Sequence, residues 1–206
     1  SIVSSMIDRK MIYQDKRKNC VFVGYNQENK PVMYALRGTN PDKRFFLETK
    51  ANDYTYGAYI NNHSNVLFAY ESFISGLSLC TILERKGKSM DEYNHLFLCG
   101  VEKIEALFHH VKNNKFDKII IIRGYAYDYE QINYIKNKYK NAFMVMYQWD
   151  PMSISMFDSK AIPLFDKCYS FDKTDCIKFV SFEYLPLFYK KESGTNLNVL
   201  YDFSFV

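Results

Sequence analysis

The sequence predicts an α/β protein, in which a small N-terminal α+β unit leads into a Rossmann-like, mostly parallel sheet with helices on both faces. From Val66 onward, short apolar runs alternate with segments whose apolar residues recur at helical spacing, which is the pattern of repeated strand–helix units. The run from Ile119 to Ile122 is apolar on both faces, as is typical of a central parallel strand that helices cover on each side.

The composition is that of a folded chain built from regular elements. The chain has 206 residues, of which 48% are hydrophobic and 17% aromatic, which suits a packed core and excludes disorder, a coiled coil or collagen. No apolar run approaches the roughly 20 residues that span a bilayer. Scattered cysteines without a C-x-x-C pair favour reduced thiols, so we expect a cytoplasmic protein without a membrane span.

The order of the elements divides the chain into two units. In residues 1–60, a short helix precedes a hairpin of two strands, and a polar, turn-rich connection follows. In residues 61–206, strand-like and helical segments alternate, and shorter pieces follow Pro151. The predicted helices are 5–11, 74–83, 101–111, 129–139 and 173–179, and the predicted strands are 20–25, 31–37, 66–70, 96–99, 118–122, 143–147 and 199–206.

Charged and polar residues stand just past the carboxyl ends of the predicted parallel strands, where α/β sheets carry their functional residues. The candidates are Glu71 after the first strand, Arg123 and Gly124 after the third, and Trp149 and Asp150 after the fourth. A carboxylate at Glu71 can hold a divalent cation or act as a general acid or base. The alternative is an N-cap or first-turn acid that stabilises the next helix by about 0.3–1 kcal/mol. Without a second acidic cluster we favour this alternative.

No known phosphate-binding motif accompanies these residues. The chain has neither G-x-G-x-x-G nor a P-loop, although Arg123 and Gly124 offer an anion site at a strand-to-helix turn. We expect Arg123 either to bind an anion or to pair with Asp150. For Trp149 we favour the role of a packed aromatic, followed by a turn that Asp150 begins, over that of a platform for a ligand. The histidines lack metal-ligand spacing, so we predict no bound metal.

Positive charge is concentrated in the first quarter of the chain. The net charge of +4 is mild, and the clustered cations are Lys16, Arg17, Arg37, Lys43 and Arg44. Two interpretations stay open. The charges either protect a solvated strand edge from aggregation or form a face that binds a polyanion such as nucleic acid.

The first half of the chain resembles a known family. The motifs lie at 12–17, 20–25, 34–39, 42–45 and 56–57. They resemble the uncharacterised domain found ahead of TOPRIM domains in bacterial plasmid and mobile-element primase-like proteins. The continuation at 66–78 and 94–100 resembles the first two strands and first helix of that TOPRIM domain.

This resemblance implies a site in which the glutamate matched by Glu71 acts with an Asp-x-Asp pair at the end of the third strand. In the family, these acids hold magnesium for phosphodiester chemistry. Here the third strand ends in Ile122, Arg123 and Gly124, so the acidic pair is absent. We therefore expect a nucleic-acid-binding module that is catalytically incomplete, with a vestigial Glu71 and no bound cofactor.

The second half resembles a different family and supplies the alternative. Segments 116–124, 147–150, 165–172, 185–189 and 201–206 resemble the N-terminal Rossmann-like domain of bacterial spore-coat and lipopolysaccharide-type glycosyltransferases. This resemblance implies a sugar nucleotide or glycan acceptor as partner, with Arg123, Gly124, Trp149 and Asp150 as ligand residues. Because the donor is held mainly by a C-terminal domain in such enzymes, we expect no complete transferase. The two resemblances meet near residue 100, where we place a candidate fusion junction.

Overall fold

The computed structural model describes residues 1–40, 42, 45–100, 103–123, 127–187, 189–191 and 200–202. Its helices are α1 (Ile2–Asp8), α2 (Phe73–Arg85), α3 (Glu105–Asn113), α4 (Tyr129–Lys138) and α5 (Lys173–Lys178). The N-terminal strands are β1 (Ile12–Gln14), β2 (Cys20–Tyr25), β3 (Pro31–Arg37) and β4 (Phe46–Glu48). The remaining strands are β5 (Ala58–Ile60), β6 (Val66–Tyr70), β7 (Asn94–Phe97), β8 (Lys118–Ile122), β9 (Phe143–Gln148), β10 (Lys167–Ser170), β11 (Phe182–Tyr184), β12 (Tyr189–Lys191) and β13 (Leu200–Asp202).

Two sheets make up most of this structure. A small antiparallel sheet has the order β1-β2-β3-β4, and a seven-stranded sheet has the order β11-β10-β9-β8-β6-β7-β5. Strands β6 to β11 run parallel, whereas β5 pairs antiparallel with β7 at one edge. The predicted α/β class with a mostly parallel sheet is therefore confirmed. None of the described helices has the length and apolar character needed to cross a membrane.

The strand order creates a switch point in the large sheet. From β6 the chain crosses to β7 on one side, and it then returns to β8 on the other side of β6. The connections after β6 and β8 thus leave the sheet in opposite directions, which opens a crevice at the carboxyl ends of these two strands. Ligands of open α/β sheets bind in such crevices.

The large sheet is buried on both faces around its centre. On one face, Ile119 and Ile121 pack in a core with residues of α3 and α4. On the other face, Ile122 packs in a core with residues of α1, α2 and the small sheet. The rings of Phe22 and Phe73 stack at 4.6 Å, which joins the small sheet to α2. The predicted burial of β8 on both faces is correct.

Several element boundaries differ from the sequence-based prediction. Helix α1 begins at Ile2, because the Ser1 side chain accepts the Ser4 N–H, and it ends before the left-handed Lys10. Helix α3 begins at Glu105 rather than at residue 101. The predicted connection after β3 contains the short strand β4. Of the strand predicted at 199–206, the structure describes residues 200–202 as β13, which pairs with β12, and the other residues lie outside the described part of the chain. Three-residue strands carry too little alternation for the sequence to predict them.

Strands from both sides of residue 100 lie in one sheet. Strand β6 pairs with β7 through Leu67 and Asn94, and with β8 through Leu67 and Ile119. The two segments that resemble different families thus share one hydrogen-bonded ladder. Strand β5, which lies inside the predicted 1–60 unit, is part of this large sheet.

Candidate functional site

Three charged residues meet at the switch point. Glu71, Arg123 and Asp150 lie just beyond β6, β8 and β9, which are adjacent in the sheet. Arg123 Nη1 lies 2.5 Å from Glu71 Oε2, and Arg123 Nε donates to Asp150 Oδ2. The side chains of Arg123, Glu71 and Asp150 are 33%, 16% and 24% exposed. A single guanidinium therefore bridges two partly buried carboxylates, and the expected pairing of Arg123 with Asp150 is present.

Backbone hydrogen bonds fix the strand ends that carry Arg123 and Glu71. Arg123 has a left-handed φ of 58°, which costs a non-glycine residue roughly 1–2 kcal/mol. Its N–H still donates to the Tyr147 carbonyl at 2.9 Å, so the ladder between β8 and β9 continues through this residue. The Glu71 carbonyl likewise accepts the Gly100 N–H at 2.9 Å. Backbone hydrogen bonds thus hold both residues of the Glu71–Arg123 pair in place.

Burial and neighbouring charges act in opposite directions on Glu71. Burial raises the pKa of Glu71, and the charge of Asp150 adds to that rise, whereas the ion pair with Arg123 opposes it. Within the described part of the chain, no group of three or more His, Cys, Asp or Glu side chains converges as metal ligands would. The strand ends therefore form an arginine-centred ion-pair cluster.

A buried acid that the sequence analysis did not single out holds the loop after β9, in which Asp150 lies. Asp175 in α5 is 3% exposed and accepts the Met152 N–H at 3.1 and 3.0 Å and the Ser170 hydroxyl at 2.8 Å. These bonds fasten the loop after β9 to the end of β10. Trp149, in the same loop, meets the ring of Tyr147 edge-on at 5.8 Å and packs against the second core. Trp149 is therefore a packed aromatic, the role that we favoured for it from the sequence.

A cleft lies beside the ion-pair cluster, between the small sheet and the strand ends. Its volume is about 460 Å³. The charged and polar residues that line it are Arg37, Glu48, Glu71, Ser72 and Lys103. Ser72 caps α2 by accepting the Ser75 N–H at 3.2 Å, so the amino end of that helix faces the cleft wall. The cleft thus combines residues from the small sheet with residues from the switch point.

Of the two cations that line the cleft, one is paired with an acid and the other is exposed. Lys103 is engaged, because it forms an ion pair with Glu48, donates to the Cys99 carbonyl at 3.0 Å and lies 4.3 Å from the centre of the Tyr54 ring. Arg37 is exposed and lies 5.3 Å from the centre of the Phe46 ring. Sequence reasoning missed Lys103 and Glu48, because neither belongs to a motif or follows a predicted parallel strand.

The exposed cations of the β1–β2 turn lie at the same end of the small sheet as Arg37. Cys20, directly after this turn, pairs with Arg37 across β2 and β3, and the Thr39 hydroxyl donates to the Lys18 carbonyl at 2.8 Å. Lys16 and Arg17 are both exposed. The structure therefore brings three of the five predicted basic residues to one end of the sheet, next to the cleft. Lys43, Arg44 and Gly124 lie outside the described residues.

Comparison with known proteins gives one family match and several distant structural matches. Residues 1–62 match DUF3991, a family described as a protein of unknown function. No curated protein matches the chain. This family match agrees with the uncharacterised domain that the first half of the sequence resembles.

Three of the structural matches are to primase domains, at low identity. The structure of the DnaG catalytic core is 13% identical with a TM-score of 0.38, and the match covers 75% of this chain and 53% of that chain. The E. coli primase catalytic core is 13% identical with a TM-score of 0.33, and that match covers 75% of this chain and 54% of the primase chain. The DnaG primase catalytic domain bound to ssDNA is 12% identical with a TM-score of 0.34, and that match covers 72% of this chain and 53% of the primase chain. The chain spans about half the length of these structures, none of which is a glycosyltransferase.

Proposed function

We propose that this chain is a TOPRIM-related, primase-like module that binds nucleic acid through phosphates and lacks catalysis. The observation that carries the proposal is the cleft at the switch point, with exposed cations of the small sheet at its rim. The resemblance of the first half to TOPRIM-associated domains of mobile-element primase-like proteins agrees with this function.

The distribution of charge supports phosphate binding at this rim. Among the described residues, no carboxylate forms an ion pair with Arg37, and Lys16 and Arg17 project from the turn beside it. By contrast, Lys103 and Arg123 are neutralised by acids. The exposed guanidinium and ammonium groups are thus available to phosphates, which form the dominant contacts of most protein–nucleic acid complexes.

The same cluster argues against magnesium-dependent chemistry. A magnesium site of the TOPRIM kind needs several carboxylates that converge on the ion. Here Glu71 and Asp150 both bind Arg123, so the residues present do not fit the metal. A guanidinium about 4 Å from the divalent ion would oppose binding by roughly 8 kcal/mol at an effective dielectric near 20, twice the value for two unit charges. We therefore expect no nicking or primer synthesis.

Fluorescence anisotropy with labelled oligonucleotides tests the proposal. We expect binding at low salt, with affinity that falls as salt rises. In the double variant Arg17→Ala/Arg37→Ala, affinity should fall and the log–log salt slope should decrease by about 0.7 for each lost contact on single strands, or about 0.9 on duplex DNA.

The matched control is Lys138→Ala/Lys140→Ala, which removes the same charge from exposed positions at and just beyond the end of α4. This control should leave the salt slope unchanged. If the wild-type protein does not bind at low salt, or if the two double variants behave alike, the proposed interface is wrong.

A further inference from the structure

A second cavity lies at the β5 edge of the large sheet. Its volume is about 460 Å³, and its walls come from the β2–β3 turn, β5 with its flanking residues, and the second half of α3. We call it the edge pocket. It shares no lining residue with the cleft at the switch point. Its ligand must therefore be inferred from its own walls.

Among the described residues that line the edge pocket, none is acidic and none is a lysine or arginine. The polar residues are six amides: Asn26, Gln27, Asn29, Asn61, Asn113 and Asn114. The remaining lining residues are tyrosines and histidines. His110 is neutral at physiological pH, because burial lowers its pKa to about 4, and its Nε2–H donates to the Tyr56 carbonyl at 2.8 Å. Such walls suit an uncharged polar group and offer a phosphate no cationic partner.

Aromatic rings form flat surfaces in this pocket. The rings of Tyr59 and His110 stack with centroids 3.9 Å apart, and Tyr56 meets His109 edge-on at 4.9 Å. A flat, uncharged ligand can pack against side chains of this kind.

The amides present fixed, complementary hydrogen-bonding groups. Asn26 and Asn61 each use Oδ1 to accept backbone N–H groups, so their Nδ2 donors remain for a ligand or solvent. Asn113 and Asn114 donate Nδ2 to the His109 and His110 carbonyls at 2.9 and 2.8 Å, so their Oδ1 acceptors remain. Backbone bonds thus orient donors near the β2–β3 turn and β5, and acceptors on α3.

From this arrangement we infer that the edge pocket binds a nucleobase. A base is uncharged and flat, and its edge carries both donors and acceptors. Proteins recognise unpaired bases by stacking them on tyrosine or histidine and by hydrogen bonds to their edges, for which amide side chains are well suited. A neutral sugar is the competing ligand, because it also uses amides and aromatic faces.

Titration of the ¹⁵N-labelled protein with nucleosides tests the inference without any phosphate. The probes are adenosine, guanosine, cytidine and uridine, with maltose as the competing neutral sugar, and the readout is the side-chain amide signals of Asn26, Asn61, Asn113 and Asn114. At least one nucleoside should shift these signals with a dissociation constant at or below about 1 mM, as expected for a ligand of roughly 20 atoms.

Two variants assign the binding to the edge pocket. Asn113→Ala removes an Oδ1 acceptor from the pocket wall, and it should weaken nucleoside binding about two- to tenfold, the usual effect of one lost hydrogen bond. Asn137→Ala removes an exposed amide from α4, outside the pocket, and should have no effect. Alanine is a better helix former than asparagine, so both variants should retain the fold.

Three results would overturn the inference. The first is an absence of shifts at nucleoside concentrations up to about 10 mM, well above the dissociation constant expected from ligand size. The second is equal or tighter binding of maltose at the same signals. The third is an unchanged nucleoside affinity in Asn113→Ala. The variant Arg17→Ala/Arg37→Ala should leave nucleoside affinity unchanged. This result separates failure of the edge pocket from failure of the proposed phosphate interface.

Discussion

The guanidinium of Arg123 controls the electrostatics of the strand ends. It contacts the carboxylates of Glu71 and Asp150, which approach it from the two neighbouring strands. Because burial and the Asp150 charge both raise the pKa of Glu71, removal of the arginine would leave two acids in mutual repulsion. The position where the TOPRIM resemblance implies acidic metal ligands thus carries an internal cation.

Replacement of Arg123 tests this role. In Arg123→Met the side chain keeps much of its length but loses its charge, and we expect the free energy of unfolding to fall by about 1–3 kcal/mol. The two carboxylates, no longer paired with a cation, should then bind magnesium with a dissociation constant of about 1 mM, the weak end of carboxylate sites. Calorimetric titration with magnesium checks this. The wild-type protein and Arg123→Lys should show no such binding, and a tighter wild-type site lost in Glu71→Gln would contradict the account.

His95 gives the protein a predictable response to acid. The side chain is fully buried, its Nδ1 accepts from the Tyr70 hydroxyl at 2.9 Å, and its Nε2–H donates to the Met90 carbonyl at 2.8 Å. Burial lowers its pKa to about 4, below the unfolded value near 6.5. The unfolded chain therefore binds the proton more tightly, so stability is full above pH 6.5 and falls as pH decreases toward 4.

Urea unfolding at several pH values checks this prediction. Between pH 7 and pH 5, His95 should reduce the free energy of unfolding by about 2 kcal/mol. The variant His95→Gln should be less stable overall but should lose this part of the pH dependence. The exposed His63 provides the control, since His63→Gln should keep the wild-type slope. An unchanged slope in His95→Gln would show that this histidine is not buried and neutral.

At the scale of elements, the contact between the two sheets depends on a close approach between the backbones of β2 and the residue before β5. A Cβ atom at Gly24 in β2 would lie 2.0 Å from the Gly57 carbonyl oxygen, just before β5. No real Cβ atom approaches so closely, and a backbone oxygen cannot rotate away as a flexible side chain can. Only glycine at residue 24 therefore permits the small sheet to pack at this distance.

The substitution Gly24→Ala should separate the two sheets locally. We expect the free energy of unfolding to fall by about 2–3 kcal/mol, because overpacking against backbone cannot relax by repacking side chains. Gly87→Ala makes the same chemical change where no atom lies within 4 Å, so only its left-handed φ should cost stability, about 1 kcal/mol. Urea unfolding compares them. Equal stability of Gly24→Ala and the wild type would contradict this description of the contact between the two sheets.

At the scale of the whole molecule, strand order brings the functional candidates together. Strand β8 inserts beside β6 rather than beside β7, and this placement puts Arg123 next to Glu71. The small sheet covers α2 and one face of the large sheet, so Arg37 reaches the cleft from a separate layer. Both the ion-pair cluster and the cleft therefore depend on how layers and crossovers are arranged.

Much of the local structure could be predicted from sequence. The bounds of β6 and β8 agree with the apolar runs at 66–70 and 118–122, and α4 agrees within one residue. The start of α3 differed, because Ile104 continues its apolar pattern but precedes the first helical residue. Glu71, Arg123 and Asp150 could be identified as strand-end residues, because a single rule about parallel sheets places them.

The amino-acid sequence by itself determined the α/β class, the order of the main elements and the residues at the strand ends, since periodicity and strand termini depend on neighbours within one segment. Only the tertiary structure decided that Arg123 bridges two acids, that Lys103 pairs with Glu48, and that amides from three separate segments line the edge pocket. These contacts join segments that are far apart along the chain. Their formation depends on which strand inserts beside β6 and on how the small sheet packs, and no local pattern encodes either choice.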